Sequence, residues 1–216
     1  YNTLTVPKGR DFKLLLEDGT EIWLNADSRL KYSVSFAKTA KREVFLESGE
    51  AYFKVTKNPH KPFIVHNGNM SIQVLGTSFN INAYSGVVQT TLIEGKVKVN
   101  LKKSKEELVL IPGQQAQFNV ASGKLEKQTV EVYSFVAWKE GVFAFDHTSL
   151  ETLMDQIGRT YDLDIEFKDT ALKQLHFSGS VEKKEDVKEL LDIIQKTTHL
   201  KFTIKDRRII IERSVR

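Results

Sequence analysis

VLGTSFNINAY, residues 74–84, alternates between apolar and polar side chains and is the stretch on which the interpretation of the fold depends. From position 75 onward, one set of alternate residues comprises Leu75, Thr77, Phe79, Ile81 and Ala83, and the other comprises Ser78, Asn80, Asn82 and Tyr84. This two-residue period predicts a β-strand with one face in a hydrophobic core. The polar face could be a ligand groove, a catalytic site or a solvated surface.

The composition indicates a globular chain with one large domain or two smaller ones. Of the 216 residues, 40% are hydrophobic, which is enough for a substantial core in each case. The net charge of +4 is small, the two signs are interleaved, and the densest basic runs, 102–105 and 207–208, are short. We therefore expect no nucleic-acid partner. The absence of cysteine excludes disulfides, thiolate metal sites and a cysteine nucleophile.

No run of the sequence has the length and apolar character of a membrane span or a signal-peptide core. The chain begins at Tyr1 rather than at methionine. We therefore expect a piece of a longer protein that is not itself inserted in a membrane, with any targeting or anchoring segment before residue 1.

Residues 1–130 are predicted to form an all-β domain, either a sandwich or a solenoid-like β-roll. Short strands are separated here by glycine turn signals, and no stretch has a convincing helical period. Asp18 and Gly19 predict a two-residue hairpin that places Leu15 opposite Ile22 and Leu14 opposite Trp23. Because the two pairs would point to opposite faces, we expect the hairpin to be covered on both sides.

After about residue 131 the pattern changes to alternating strands and helices. Two helices are predicted from apolar residues at i, i+3, i+4 and i+7, namely Leu150, Leu153, Met154 and Ile157 and then Val187, Leu190, Leu191 and Ile194. Thr148 and Glu151 have the spacing of a capping box. Each helix is followed at the same offset by an alternating strand, 163–167 and 200–204. We therefore predict a connector at 131–140 and a small duplicated β-α-β domain at 141–216, with an extra strand near 209–212.

Catalytic chemistry has no support in the sequence. The five histidines lack metal-ligand spacing with a nearby carboxylate, and GTSFN is not a nucleophile elbow because the segment continues as a strand. The carboxylate pairs Glu47 with Glu50 and Asp162 with Asp164 lie at turns or strand starts, without aromatic residues that could hold a sugar. No glycine-rich phosphate loop follows a predicted strand. We expect a binding or regulatory module with no catalytic residue, cofactor or metal.

Several motifs together resemble the FecR family, the iron-citrate-sensor type of anti-sigma regulator. The motifs are LEDGTEIWLNADSRLKY (16–32), REVFLESGEAYFKV (42–55), KPFIVH (61–66), VLGTSFNINAY (74–84), EGKVKV (94–99) and PGQQA (112–116). The part from Trp138 to Arg213 resembles the domain that follows this module in regulators from Bacteroidota. Its β-α-β pattern is similar to the short N-terminal domain of secretins and TonB-dependent receptors.

The resemblance implies the periplasmic, signal-receiving portion of a transmembrane anti-sigma factor regulator. In such a protein a helix before residue 1 would anchor the chain in the inner membrane, and an earlier segment would bind an extracytoplasmic-function sigma factor. The expected partner of the present residues is the periplasmic signalling domain of a TonB-dependent outer-membrane transporter. The identity of the transporter and of its substrate is not implied.

The resemblance also marks a set of signature residues, for which we expect mainly structural roles. They are Gly49, Glu50, Ala51, Phe53, Gly76, Thr77, Phe79 and Asn80. A glycine at position 76 indicates a close backbone approach or a bulge at the start of the strand, and Phe79 points to the core. The polar row of Ser78, Asn80 and Asn82 could make structural hydrogen bonds or form a contact surface.

The terminal segment RIIIER, residues 208–213, is apolar, β-branched and the last strand of its predicted sheet. An exposed edge of this kind can accept a strand from a partner. We therefore expect the transporter's domain to bind along Arg208, Ile210 and Glu212. In the alternative interpretation, Ile209 and Ile211 lie in the core and Ile210 is covered by the neighbouring domain.

Two other functions remain open. The first is a carbohydrate-binding or accessory β-sandwich module, for which Trp23 and Tyr84 are the candidate exposed aromatic residues. The second is a structural domain of a secretin-like assembly, which would leave the first 130 residues unexplained.

Overall fold

The structure is a computed structural model that describes residues 1–104, 106–184 and 186–214. Lys105, at the end of the basic run 102–105, lies outside the described residues, as do Glu185, Val215 and Arg216 of the expected C-terminal domain. The protein is mostly β, and it divides into two compact units, Tyr1–Val136 (unit 1) and Ala137–Arg216 (unit 2).

Over its described residues, unit 1 contains thirteen strands and one short helix. The strands are β1 (Asn2–Val6), β2 (Phe12–Leu15), β3 (Glu21–Leu24), β4 (Ser28–Tyr32), β5 (Arg42–Lys54), β6 (Phe63–Asn67), β7 (Met70–Val74), β8 (Ser78–Ala83), β9 (Val87–Glu94), β10 (Val97–Leu101), β11 (Glu107–Leu110), β12 (Gln114–Asn119) and β13 (Leu125–Thr129). The helix α1 (Tyr133–Val136) follows them, and Ala137–Glu140 at the start of unit 2 is a 3₁₀ turn. The segment expected as a connector, 131–140, therefore carries both of these short helical elements.

The thirteen strands form one large, nearly closed sheet in which the long strand β5 belongs to both halves. The first part of β5 pairs with β4 and, in parallel, with β6, from which the order continues through β7 and β10 to β11. The second part pairs antiparallel with β3 and β8, from which the order continues through β9 and β12 to β13. Both halves thereby contribute buried side chains to one core.

Gly49 is the first residue of the second paired part of β5, opposite Ala83, and follows Ser48, where the pairing with β4 ends. Its φ of +93° is unfavourable for residues with a Cβ atom, and a Cβ placed there would lie 2.2 Å from Ser28 Oγ. Ser28 occupies that space because its hydroxyl accepts a hydrogen bond from the Glu50 N–H at 2.9 Å. A glycine is required here so that β5 can pass closely over β4.

The core of unit 1 follows the alternation seen in the sequence. Phe79 and Ile81 are fully buried, and Phe79 stacks on Phe53 with ring centroids 5.0 Å apart. Ala51 is also fully buried. The prediction that one face of the 78–83 strand lies in a hydrophobic core is confirmed.

The hairpin between β2 and β3 differs from its predicted register. Leu14 is paired with Ile22 and Leu15 with Glu21, so the predicted pairing of Leu15 with Ile22 is wrong by one position. The Leu16 N–H donates to the Thr20 carbonyl oxygen at 2.9 Å, so the turn itself contains three residues, 17–19, and Gly19 at φ +79° is its left-handed residue. The shift leaves Leu15 at 67% exposure, and the expectation that both faces are covered is therefore wrong for this residue.

A buried arginine ties the loop of this hairpin to the rest of unit 1. Arg42 Nη1 lies 2.6 Å from Asp18 Oδ2 and donates to the Thr56 carbonyl oxygen, while Arg42 Nε donates to the Lys61 carbonyl oxygen. The Arg42 side chain is 2% exposed. Because a charge in such a place is stable only when it is paired and hydrogen-bonded, this cluster fixes the loop before β3 against the loop before β6.

The described part of unit 2 contains five strands and two longer helices. They are β14 (Val142–Ser149), α2 (Leu150–Tyr161), β15 (Asp164–Phe167), β16 (His176–Glu182), α3 (Val187–Thr197), β17 (Leu200–Lys205) and β18 (Arg208–Arg213), with a 3₁₀ turn at Thr170–Gln174. Both predicted amphipathic helices are confirmed, and their predicted apolar residues are buried except Val187, which is partly buried.

The first helix of unit 2 begins one residue later than the capping-box prediction. Ser149, not Thr148, is the N-cap of α2, and its hydroxyl accepts a hydrogen bond from the Thr152 N–H at 3.2 Å. Thr148 instead belongs to β14 and donates to the Asp146 carbonyl oxygen. The prediction of Thr148 as the cap is wrong because β14 extends up to the helix.

The strands of unit 2 form two sheets. The elements follow the order strand, helix, strand twice, but β14 pairs with β16 in one sheet, while β15, β18 and β17 form the other. The two strands that flank each helix therefore lie in different sheets. The structure does not confirm a duplicated β-α-β domain, although the extra strand near 209–212 is present as β18.

Over the residues that the structure describes, no helix combines the length and apolar character needed to span a membrane.

Candidate functional site

A buried carboxylate lies at the centre of the signature residues in unit 1. Glu50 is 6% exposed, and its two carboxylate oxygens accept hydrogen bonds from the amides of Asn80 and Asn25, each at 2.9 Å. The backbone of Asn25 also donates to the Glu50 carbonyl oxygen. Glu50 thus holds β8 and the residue after β3 against β5 through neutral donors.

A second set of polar residues runs from Asn80 across three further strands, at right angles to β8. Asn80 is opposite Thr91, Thr91 is opposite Gln115, and Gln115 is opposite Gln128 in the ladders of β8, β9, β12 and β13. Gln115 is fully buried; it donates to Thr91 Oγ1 at 2.8 Å and accepts from Gln117 and Gln128 at 2.9 and 3.0 Å.

We call Glu50, Asn80, Thr91 and Gln115 the buried polar row. Asn80 and Ser78 are buried and Asn82 is partly buried, so the polar face of β8 is not a solvated surface at its first two positions. Because Asn80 is hydrogen-bonded to Glu50, and Gln115 to Thr91, the row stabilises the pairing of β5 with β8 and of β9 with β12.

The remaining signature residues lie around this row or in the core. A Cβ atom at Gly76 would lie 2.6 Å from Lys57 Cα, which is the close backbone approach that a glycine permits. Thr77 Oγ1 donates to the Lys96 carbonyl oxygen at 3.1 Å. Phe53 belongs to the core.

The two aromatic residues considered for sugar binding are engaged within unit 1. Trp23 packs edge-to-face on Tyr52 with centroids 5.5 Å apart, and Lys13 Nζ lies 4.4 Å from its ring centre. The Tyr84 hydroxyl donates to the Ala26 carbonyl oxygen. Neither ring is among the exposed large side chains of the described residues, so they do not form an open platform.

The predicted partner strand of unit 2 is in the centre of its sheet. β18 pairs in parallel with β15 and antiparallel with β17, so both of its edges are occupied and it cannot accept another strand. The expectation of strand addition along Arg208, Ile210 and Glu212 is corrected by this topology. Ile209 and Ile211 are buried, and the three predicted residues lie on the opposite face.

This outer face of the three-stranded sheet carries paired charges. Glu166 accepts hydrogen bonds from Lys168 and, at 2.7 Å, from Arg208, and these donors lower the pKa of Glu166 below its ordinary value. Glu212 pairs with Lys201 at 2.6 Å. Since all of these side chains are well exposed to water, the pairs add little stability but present both signs of charge.

A groove of about 850 Å³ lies elsewhere in unit 2. Its apolar lining comes from Leu172, Leu175, Phe177 and Leu200. Among the described residues that line it, the ionisable ones are Lys196, Arg213, His176 and His199, and none is acidic. The volume lies within the range of ligand and peptide pockets.

Two ionisable groups of α2 have altered pKa values, and neither belongs to a catalytic arrangement. Burial raises the pKa of Asp155 above its ordinary value, and burial also raises the pKa of Tyr161. The Tyr161 hydroxyl donates to the Lys184 carbonyl oxygen at 2.6 Å, which anchors the loop after β16. Within the described ranges, no three histidine, aspartate or glutamate side chains are grouped so as to hold a metal ion.

Sequence reasoning missed Asn25, Thr91 and Gln115. Gln115 and Gln117 alternate with the buried residues Ala116 and Phe118, and that alternation was the available signal for Gln115. Thr91 follows another buried threonine, Thr90, so its strand lacks this signal. Asn25 lies after a strand, so its contact with Glu50 depends on tertiary structure and has no local signal.

The comparisons with known proteins agree with the motifs in the chain. A family model described as FecR protein matches residues 2–98, and one described as FecR, C-terminal matches residues 142–211. No curated protein matches the chain.

Two crystal structures of a candidate anti-sigma factor from Parabacteroides distasonis ATCC 8503 have similar folds. The structure at 1.65 Å resolution has a TM-score of 0.88 and 26% identity, with 100% of both chains covered. The structure at 2.50 Å has a TM-score of 0.87 and 26% identity, with 99% of both chains covered. The two family models match separate parts of the chain, one in each unit, so the chain is similar to FecR-family proteins in both units.

Proposed function

We propose that this chain is the signal-receiving portion of a transmembrane anti-sigma factor regulator. It relays a signal from a TonB-dependent outer-membrane transporter to an extracytoplasmic-function sigma factor through protein contacts. The observation that carries the proposal is the pair of FecR models on the two parts of the chain, together with the similarity to a candidate anti-sigma factor over the full length of both chains.

The proposal also specifies where the chain lies in the cell and how it is divided into domains. The chain lies in the periplasm and is held at the inner membrane by a helix before residue 1, and the sigma factor binds a segment that is not among these residues. The division remains that expected from the sequence, with a FecR-like domain at 1–130, a connector at 131–140 and a domain similar to the short secretin and TonB-receptor domain at 141–216. The similarity to a Parabacteroides protein supports a regulator of the Bacteroidota type.

The proposed activity is binding rather than catalysis. Similarity to an anti-sigma regulator family supports a regulatory, non-enzymatic role. Within the buried polar row Asn80 donates a hydrogen bond to Glu50, which supports a structural role for these two residues. Arg208, Ile210 and Glu212 remain proposed partner contacts, now through their side chains on the outer face of the sheet rather than through the strand edge.

Calorimetric titration with the periplasmic signalling domain of the transporter encoded beside this protein tests the proposal, with a glycan panel titrated in parallel. We expect saturable binding of the signalling domain and none of the glycans. Arg208→Glu should weaken that binding at least tenfold. Arg29→Glu is the matched control, because Arg29 is an exposed, ion-paired arginine of unit 1. Glycan binding without domain binding would contradict the proposal.

A further inference from the structure

Strand β16 has one open edge. Among the described residues it pairs only with β14, and most of its residues are exposed. Within the described ranges β14 likewise pairs only with β16, so each strand of this two-stranded sheet has one edge that carries no further strand.

The hydrogen-bond pattern shows which backbone groups lie at this edge. The Lys183 N–H donates to the Gly141 carbonyl oxygen at 2.7 Å, immediately beyond the pairing of Val142 with Glu182. Hydrogen-bonded and non-hydrogen-bonded pairs alternate along an antiparallel ladder. The N–H and C=O groups of Glu182 and Ser180 therefore point away from β14 and can pair with an added strand.

Other outer strands of unit 2 are protected in ways that β16 is not. On β17, the Phe202 N–H donates to Gln195 Oε1 at 3.0 Å, and the strand carries the exposed residues Lys201 and Lys205. On β15, every second residue is acidic. The central residues of β16, 177–181, contain neither a charge nor a proline. Protected edges resist pairing with other chains, whereas an edge such as this one favours it.

The groove lies at the beginning of the same strand. His176 and Phe177, the first two residues of β16, line it. Lys196 has no ion-pair partner among the described residues, and Arg213 lies 3.7 Å from Asp169 with most of its side chain exposed. An added strand that continues past His176 would meet an apolar floor with a rim of cationic side chains.

We propose that β16 accepts an extended segment of a partner protein as an additional strand, and that this segment carries acidic and apolar side chains where it enters the groove. Backbone hydrogen bonds along β16 supply affinity, and the cationic rim selects acidic sequences. This inference rests on the proposed function, because it assigns to the transporter's signalling domain a second contact besides Arg208, Ile210 and Glu212.

A capped heptapeptide of alternating valine and glutamate is the first probe, titrated into the whole 216-residue chain, with a valine and lysine peptide as its counterpart. We expect saturable binding of the acidic peptide and at least tenfold weaker binding of the basic one. Ser180→Pro should weaken acidic-peptide binding at least tenfold, since proline removes an outward N–H and leaves the bonds to β14 in place. Equal binding of the two peptides, or binding of neither, would overturn the inference.

A second variant keeps the test independent of folding around the proline. Lys196→Glu should weaken acidic-peptide binding, whereas Lys188→Glu, an exposed position on the same helix that does not line the groove, should leave it unchanged. An equal effect of both variants would contradict the proposal that the cationic rim, Lys196 and Arg213, selects acidic sequences. Concentration-dependent dimerisation that Ser180→Pro abolishes would identify a second copy as the occupant and overturn the partner assignment.

The same variants separate this inference from the proposed function. If the signalling domain binds the wild-type chain and Ser180→Pro equally, the edge is not its site and the proposed function stands. If the acidic peptide binds at β16 and the signalling domain does not bind, the edge is a strand-accepting site and the transporter relay is wrong.

Discussion

Glu50 lies opposite Asn82 in the ladder between β5 and β8, yet its carboxylate accepts a hydrogen bond from Asn80, the diagonal neighbour, at 2.9 Å. The diagonal contact places the carboxylate beside a residue that is itself opposite Thr91 on the next strand. The buried acid thereby lies at one end of the buried polar row, and Gln115 at the other end is hydrogen-bonded to Thr91 and Gln128. The row explains how polar signature residues can be buried in a mostly β unit.

Asn80→Ala should destabilise unit 1 by about 1–3 kcal/mol, because the buried Glu50 oxygen loses this donor. Urea unfolding followed by tryptophan fluorescence measures the change. Asn82→Ala is the control, since Asn82 is partly buried and its amide oxygen accepts only a long hydrogen bond, 3.4 Å, from the Tyr84 N–H. Equal losses in the two variants would contradict the role assigned to the Glu50 contact.

Gly49→Ala should cost more stability than Gly113→Ala. Both glycines have positive φ, +93° and +84°, so both substitutions carry a backbone penalty of about 1–2 kcal/mol. Only at position 49 does the new Cβ meet Ser28 Oγ, at 2.2 Å, whereas nothing lies within 4 Å at position 113. The extra loss at position 49 should be about 1–3 kcal/mol by thermal or urea unfolding. Equal stability of the two variants would show that β5 can move away from β4 at no cost.

Ser149→Ala should destabilise unit 2 by about 1 kcal/mol through loss of the N-cap of α2. Thr148→Ala should have a smaller effect, because its hydroxyl contacts the Asp146 carbonyl oxygen outside the helix. Circular dichroism during thermal unfolding compares the two. A larger loss for Thr148→Ala would restore the capping box predicted from the sequence.

Asp18→Ala should destabilise unit 1 by about 3–5 kcal/mol, because it leaves the buried guanidinium of Arg42 without its counter-ion. The double variant Asp18→Ala with Arg42→Met should be more stable than Asp18→Ala alone, since the uncompensated charge is also removed. Urea unfolding of the three proteins provides the comparison. If the double variant were the less stable, hydrogen bonds of Arg42 to the carbonyl oxygens of Thr56 and Lys61 would outweigh its charge.

Glu166→Gln should lower stability at neutral pH and have a progressively smaller effect in acid. Hydrogen bonds from Lys168 and Arg208 lower the pKa of Glu166 in the folded state below its ordinary value of 4.5. The stabilisation is therefore fully present above the unfolded-state pKa and is lost as the pH falls through the folded-state pKa. Unfolding of the wild-type chain and of Glu166→Gln from pH 7 to pH 3 measures the difference in their stability. Because salt screens exposed charges, 1 M salt should reduce this difference. A difference that grew towards low pH would contradict this sign.

The local structure of this chain was largely predictable, and its strand pairing was not. Alternation identified Phe79 and Ile81 as core residues, and the helical period identified Leu150 and Ile157, because both patterns depend only on which face of an element is buried. Periodicity does not specify which strands are neighbours. The last strand of the chain was therefore predicted at an edge, although β18 is the centre of its sheet.

The same holds for the candidate sites: the sequence identified some of their residues but not which of those residues are in contact. Glu50 and Asn80 were both marked by motif, but their contact arises from the register of β5 with β8, which brings together residues 30 positions apart. The hairpin at Asp18 was displaced by one residue because Gly19 extends the loop, and such a shift moves Leu15 to the exposed side. The open edge of β16 depends on sheet topology and has no signature in the sequence around residues 177–181.

Hydrogen–deuterium exchange of the whole chain, with and without the transporter's signalling domain, tests most directly whether unit 2 receives the signal through protein contact. We expect the bound signalling domain to slow exchange of backbone amides in unit 2, including those of Ser180 and Glu182. Exchange of the backbone amides in the buried polar row of unit 1 should be unchanged. Protection confined to unit 1, or no protection in either unit at saturating signalling domain, would contradict it.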